Sequence, residues 1–194
     1  TSQVPMHLLF DEFAAAFESD PNRDPSLKLE LQLGEKMPAH LEICQALCHF
    51  VVRQYISNSV KFNPGAGKVL LRARVVDPDT SKSKLRPHLL RFEIIDAGEG
   101  LQEGGDDGKL FTRFGTIGER RSVTGLGLGL WSIRELLKHV GEGGGFGFKK
   151  VKRSLNRKSL ICFWFQVPCN VDTQKCEPLA IGRRKGWKKF KTVG

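Results

Sequence analysis

The chain has 194 residues, 40% of them hydrophobic, and a formal net charge of +10, which suits one domain of ordinary size with a tail. It holds no run of the 18 or more apolar residues that a membrane-spanning helix needs and no basic-then-apolar leader at its start. Thirteen of the 31 Lys and Arg residues fall between Lys149 and Lys191, against two acids, Asp172 and Glu177. The basicity therefore belongs to the C-terminal segment and does not by itself indicate a nucleic-acid-binding fold. Five cysteines (Cys44, Cys48, Cys162, Cys169 and Cys176) form no CxxC pair, and the odd count reads as reduced, intracellular thiols, not a disulfide framework. A chain that begins at Thr1 reads as a piece of something longer.

Taken in order, Met6 to Phe17 sets Leu8, Leu9, Phe13, Ala16 and Phe17 at helical spacing, and Asp20-Pro21 ends the helix. Leu27 to Leu33 alternates apolar with polar residues, as a half-buried strand does, and Gly34 stops it. A long helix is expected from about His40 to Phe62, closed by Asn63-Pro64-Gly65. On it Gln54, Asn58 and Lys61 stand at i, i+4 and i+7 and share one face. Polar residues on one face of a helix are usually only its solvated side.

Lys68 to Val76 and Leu89 to Ile95 read as strands joined by a polar hairpin loop, Asp77 to Pro87. The second strand delivers Asp96-Ala97-Gly98-Glu99-Gly100. A carboxylate there can accept a hydrogen bond while the glycines let a flat ring or sugar lie against the backbone, although an ordinary Asp-Gly turn has the same composition. Leu101 to Val123 is a long connection containing Phe111 and Phe114, and a loop of that length inside a compact domain is usually a lid or a binding loop.

Gly125, Gly127 and Gly129 alternate with Leu126 and Leu128 and run into a helix from Leu128 to about Val140, expected to bury Leu130, Ile133, Leu136, Leu137 and Val140. Alternate glycines at a helix start present bare backbone N–H groups, which attract an anion because first-turn amides lack partners and the helix dipole adds positive charge. The spacing is neither a P-loop nor GxGxxG, and a tight turn that binds nothing has equal claim to it in isolation. Gly141 to Gly147 reads as flexible, followed by a closing hairpin of Phe146 to Val151 and Leu160 to Pro168. Residues 169–194 read as a basic tail or linker beyond a domain spanning residues 1–168. Arg183 to Lys191 interleaves basic and aromatic residues, as a nucleic-acid or anionic-lipid contact could, but a solvated linker is the favoured reading.

Three motifs follow one another in order: Ser57-Asn58-Ser59-Val60-Lys61-Phe62, Asp96-Ala97-Gly98-Glu99-Gly100 and Gly125-Leu126-Gly127-Leu128-Gly129-Leu130. With Phe111 and Phe114 between the last two, they resemble the N box, first glycine box, F box and second glycine box of sensor histidine kinases, over roughly Met6 to Pro168. The resemblance implies the catalytic ATP-binding domain of the GHKL superfamily. Its Bergerat-type fold is a two-layer α/β (α+β) sandwich, a mixed, mostly antiparallel sheet of about five strands with three helices on one face.

Carried over residue by residue, the resemblance makes Asn58 the Mg²⁺ ligand, through a hard amide oxygen, and Lys61 a charge near the phosphates. Asp96 would accept the adenine amine, with Gly98 and Gly100 admitting the base. Gly125, Leu126, Gly127, Leu128 and Gly129 would wrap the triphosphate, and the segment bearing Phe111 and Phe114 would close over it. It further implies ATP and Mg²⁺ as cofactors, a cytoplasmic domain, and a homodimer in the full protein. The phosphoacceptor histidine would lie on a dimerisation segment N-terminal to Thr1, with a response regulator downstream. None of His7, His40, His49, His88 and His139 is followed by the acid typical of that acceptor.

Three departures stand out. Gln54 occupies the place where related ATPases keep a catalytic Glu, and an amide cannot act as a base, so strong intrinsic hydrolysis is not expected. Ser59 stands where Ala is usual and is expected to change little. The run from Gly141 to Gly147 has more glycines than the family's Gly-Gly.

Overall fold

The structure, a computed structural model, describes residues 1–63, 67–77, 87–96, 109–113, 128–141, 143–151, 160–171, 179 and 187–190. Along the chain run β1 (Ser2–Pro5), α1 (Met6–Glu18), β2 (Leu27–Gly34), β3 (His40–Ile43), α2 (Gln45–Lys61), β4 (Gly67–Val76), β5 (His88–Asp96), α3 (Gly129–Leu137), β6 (Gly145–Val151), β7 (Leu160–Cys169) and β8 (Trp187–Phe190). One sheet has the order β6-β7-β5-β4-β2-β8 and a second joins β1 to β3. In the large sheet β2 runs parallel to β4 and to β8, and the remaining neighbours are antiparallel. The expected mixed, mostly antiparallel sheet with three helices is the observed architecture, one strand wider than expected.

Strand alternation decides which residues meet the helices. On β4 Val69, Leu71 and Ala73 are buried, on β5 Leu90, Phe92 and Ile94, and on β7 Phe163, Phe165 and Val167. The rings on this side touch in sequence. Phe10 and Phe13 of α1 meet Phe92, Phe92 stacks on Phe165 at 4.9 Å, and Tyr55 of α2 stacks on Phe163 at 5.2 Å. Helix α1 contributes a stripe of Met6, Leu9, Phe10, Phe13 and Phe17, which is the spacing an amphipathic helix needs. Leu8, though apolar, lies off this stripe and is half exposed.

Two expectations need correction. The stretch from His40 to Ile43 is a strand, not the first turn of the long helix, which starts at Gln45. Leu41 and Ile43 are buried with period two, β3 pairs with β1, and Glu42 exchanges backbone hydrogen bonds with Asn170 at the end of β7. These partners are remote in sequence, so no local pattern announces them. On α3 Ile133 and Leu137 are buried but Leu136 is 45% exposed, because a short helix lying on a sheet buries one narrow stripe.

The run from Gly141 to Gly147 has a packing explanation. Gly141 and Gly143 take φ of +89° and +80°, where a side chain is strained. Gly147 sits opposite Trp164 on β7, and a Cβ there would lie 2.9 Å from the indole. Trp164 occupies the space above β6 that side chains would otherwise fill, a known way of covering glycine in a sheet.

Residues 187–190, within the stretch read as a tail, form β8 and extend the sheet in register with Leu31–Gly34. The open edge of β2 offers unpaired N–H and C=O groups that another strand can satisfy. Leu179 is buried and its N–H donates to the Met37 carbonyl at 2.8 Å, a second attachment of the same segment. Among the described residues no helix is long and apolar enough to cross a membrane.

Candidate functional site

The topology brings the separated motifs together. Because β2 and β4 are parallel, the chain must cross over between them, and α2 is the crossover helix. Its C-terminal end therefore lies where β4 begins. Strand β5 runs antiparallel to β4, with Ile95 opposite Leu70, so β5 ends at that same edge. Asp96, the last residue of β5, thus meets the last two turns of α2.

Asp96 is only 6% exposed, a carboxylate taken out of water. The hydroxyl of Ser59, itself 2% exposed, donates to Asp96 Oδ2 at 2.7 Å. Ser59, expected from the sequence to change little where Ala is usual, makes a hydrogen bond that Ala could not. It bonds the acid of the second motif directly, and only the fold could show it, since 37 residues separate the two. Asn58, its neighbour, is turned about 100° away around the helix and is half-buried, as is Lys61. The Lys61 ammonium lies 5.4 Å from the centre of the Phe62 ring, and Phe62 itself is half exposed.

Helix α3 closes the other side. Its N-cap residue, Leu128, makes no side-chain cap, and the first turn contains no acid, so among the described residues no side chain caps the first-turn amides. Gln54, one turn before Asn58, reaches this point: a Cβ on Gly129 would lie 2.9 Å from Gln54 Oε1. Gly129 is therefore a glycine at a close approach of two helices, which sets the helix that bears the first motif against the end of the third. Gly98, Gly100, Phe114, Gly125, Leu126 and Gly127 lie outside the described residues.

Phe111, half-buried, packs against Phe146 at 5.0 Å and Phe148 at 6.3 Å on β6, and its carbonyl accepts from Arg134 Nη1 of α3 at 3.3 Å. Leu110 is buried and the Arg113 guanidinium lies 5.5 Å from the Trp131 ring. This short piece of the long connection is anchored on both α3 and the sheet.

A protein-family model described as the histidine kinase-, DNA gyrase B-, and HSP90-like ATPase matches residues 45–170. The chain belongs to this family. Two curated relatives of the ATPase domain agree. "Drug sensory protein A" of Synechocystis sp. is 29% identical over 138 residues, covering 70% of this chain and 20% of the relative. The "uncharacterized sensor-like histidine kinase ycf26" of Pyropia yezoensis is 26% identical over 156 residues, covering 78% and 22%. The chain thus spans about a fifth of the length of these relatives. Among solved structures, the mycobacterial sensor histidine kinase MprB superposes with a TM-score of 0.67 at 19% identity, over 87% of this chain and 99% of that one. The catalytic domain of histidine kinase ThkA gives 0.60 at 19% identity, over 86% and 94%. The fold is that of sensor histidine kinase catalytic domains.

The residues present fit the nucleotide and metal that the ATPase family implies. A helix start without a side-chain cap suits phosphate, a buried carboxylate suits an amine donor, and a half-buried Asn offers one hard oxygen. No cluster of three or more His, Cys, Asp or Glu side chains able to hold a metal occurs among the described residues.

Proposed function

We propose that this ATPase-family chain is the ATP-binding catalytic domain of a sensor histidine kinase. It would direct the γ-phosphate of ATP to a histidine on a dimerisation segment of the same full-length protein, with a response regulator as the next acceptor and the domain facing the cytoplasm. The observation that carries this reading is the convergence on α2: Ser59 reaches Asp96 at the end of β5, and Gln54 reaches Gly129 at the start of α3. A structure of ThkA in complex with the response regulator TrrA superposes with a TM-score of 0.58 at 17% identity, which supports the choice of downstream partner.

In this reading Asp96 accepts the adenine amine, the glycine-rich start of α3 with Gly129 binds phosphate through backbone N–H groups, and Lys61 adds a positive charge. Asn58 would ligand Mg²⁺, which neutralises phosphate charge and orients the transferred group. Such a transfer needs chiefly positioning and charge stabilisation, so these groups are sufficient without a general base. Gln54 supplies an amide where a base would be needed for fast hydrolysis of ATP by water.

Titration of the chain with ATP, with and without Mg²⁺, tests the assignment. Asp96→Asn is expected to abolish nucleotide binding with little change in melting temperature, and Asn58→Ala to remove the Mg²⁺ dependence. Wild-type protein that binds no adenine nucleotide would refute it. The Gln54 amide also supports a second reading, a nucleotide-binding regulatory module with weak catalysis. Incubating the longer protein with γ-labelled ATP decides between them, since a labelled histidine excludes the second.

A further inference from the structure

Ser59 has a surrounding that makes its hydroxyl more than filler. Tyr55, one turn earlier on the same side of α2, stacks its ring on Phe163, and Phe163 stands opposite Ile94 on β5. Asp96 follows Ile94 by two residues and shares its side of the strand. Packing of the Tyr55 ring therefore fixes the rotation of α2 that places Ser59 over Asp96. A buried serine inside a helix ordinarily satisfies its hydroxyl on the carbonyl one turn back. Here it donates to Asp96 Oδ2 at 2.7 Å, with both residues removed from water.

We propose that Ser59 is a positioning residue for base recognition, holding the Asp96 carboxylate at one rotation and as a pure acceptor so that the site takes adenine and rejects guanine. The inference rests on the nucleotide reading above. A buried carboxylate that loses a donor lowers its cost by rotating or by taking up a proton. Either change alters what it reads. An ionised carboxylate pairs with the adenine amine and repels the carbonyl oxygen that guanine carries at the corresponding ring position, whereas a protonated one can donate to that oxygen. A protein donor bound to Oδ2 favours the ionised, oriented form.

Two variants of equal volume separate the hydroxyl from packing: Ser59→Thr keeps it and Ser59→Val replaces it with a methyl. ATP and GTP binding to the 194-residue chain would be measured for wild type, both variants and Ser59→Ala, each checked for a cooperative melt. Expected are near wild-type ATP affinity and selectivity in Ser59→Thr. Ser59→Val and Ser59→Ala should each lose roughly tenfold or more in ATP affinity, the scale of a hydrogen bond to a charged group, with a reduced preference for ATP over GTP. Equal ATP affinity and selectivity in Ser59→Thr and Ser59→Val would overturn the proposal while leaving the ATP site intact. Wild-type protein that binds no ATP overturns the nucleotide reading itself, and this inference with it.

Discussion

The two faces of the large sheet are built on different physics. The inner face is a continuous set of rings and aliphatic chains, with Phe92 on Phe165 and Tyr55 on Phe163, all excluded from water. On the outer face, cross-strand polar pairs dominate: Arg72 Nε donates to Gln32 at 2.8 Å, and Arg91 bonds Glu93 and Gln166, each at 3.1 Å. The Arg91 guanidinium also lies 4.2 Å from the Trp164 ring centre. Burial of apolar area stabilises the first face directly, whereas polar pairs near solvent exchange one hydrogen bond for another and contribute little net. Asp96 breaks the pattern, a carboxylate on the apolar face where the end of β5 meets α2. A buried carboxylate is costly unless it is hydrogen-bonded, and the Ser59 hydroxyl bonds this one at 2.7 Å.

Substitutions can break this contrast. The largest loss is expected on the inner face: Phe165→Ala should cost about 3–5 kcal/mol in urea unfolding, the range for deleting a buried ring. An equal loss from Arg72→Ala would refute the contrast. Alkaline pH attacks buried groups by another route. Burial pushes the Cys162 thiol from 9.0 to about 11 and Cys169 to about 12, and raises Cys48 further. A thiol whose folded pKa exceeds its unfolded value contributes stability that is intact below pH 9 and is lost as pH rises through 11 to 12. Urea midpoints measured from pH 7 to 11 should fall only above about 9, the unfolded thiol value. At neutral pH, of the four thiols among the described residues, exposed Cys44 should alkylate first, with Cys48, Cys162 and Cys169 protected until unfolding.

Smaller effects sharpen the comparison. Gly147→Val drives a side chain into the Trp164 indole and should cost about 1–3 kcal/mol, as overpacking does. The Tyr55 hydroxyl is buried without a hydrogen-bond partner among the described residues. Tyr55→Phe is therefore expected to be neutral or to stabilise by about 1 kcal/mol, since it removes an unsatisfied polar atom and keeps the ring stack. A marked loss would show that the hydroxyl has a partner after all. Least affected should be the outer ion pair of Lys68 and Glu30, 3.2 Å apart with the lysine largely exposed. Glu30→Gln should change stability by about 0–1 kcal/mol, and by less in high salt.

What could be read from the residues alone were the features that local chemistry enforces. The 3.6-residue spacing of α1, the alternation in β2, β4 and β5, and the glycines leading into α3 come from backbone sterics and the side-chain period. They act within a few residues, whereas Asn58, Lys61, Asp96 and Gly129 are named as site candidates through the resemblance of their motifs to a family. What only the tertiary structure decided were relations between distant residues. Strand β3 forms because β1 and Asn170 pair with it, and β8 because β2 has an open edge. The glycines of β6 are explained by an indole on the neighbouring strand. Ser59, passed over in the sequence, is bonded to Asp96 because a parallel crossover brings the end of α2 to the end of β5. A hydroxyl's role depends on what lies across from it, and that partner is set by the chain's long-range path, not by its neighbours in sequence.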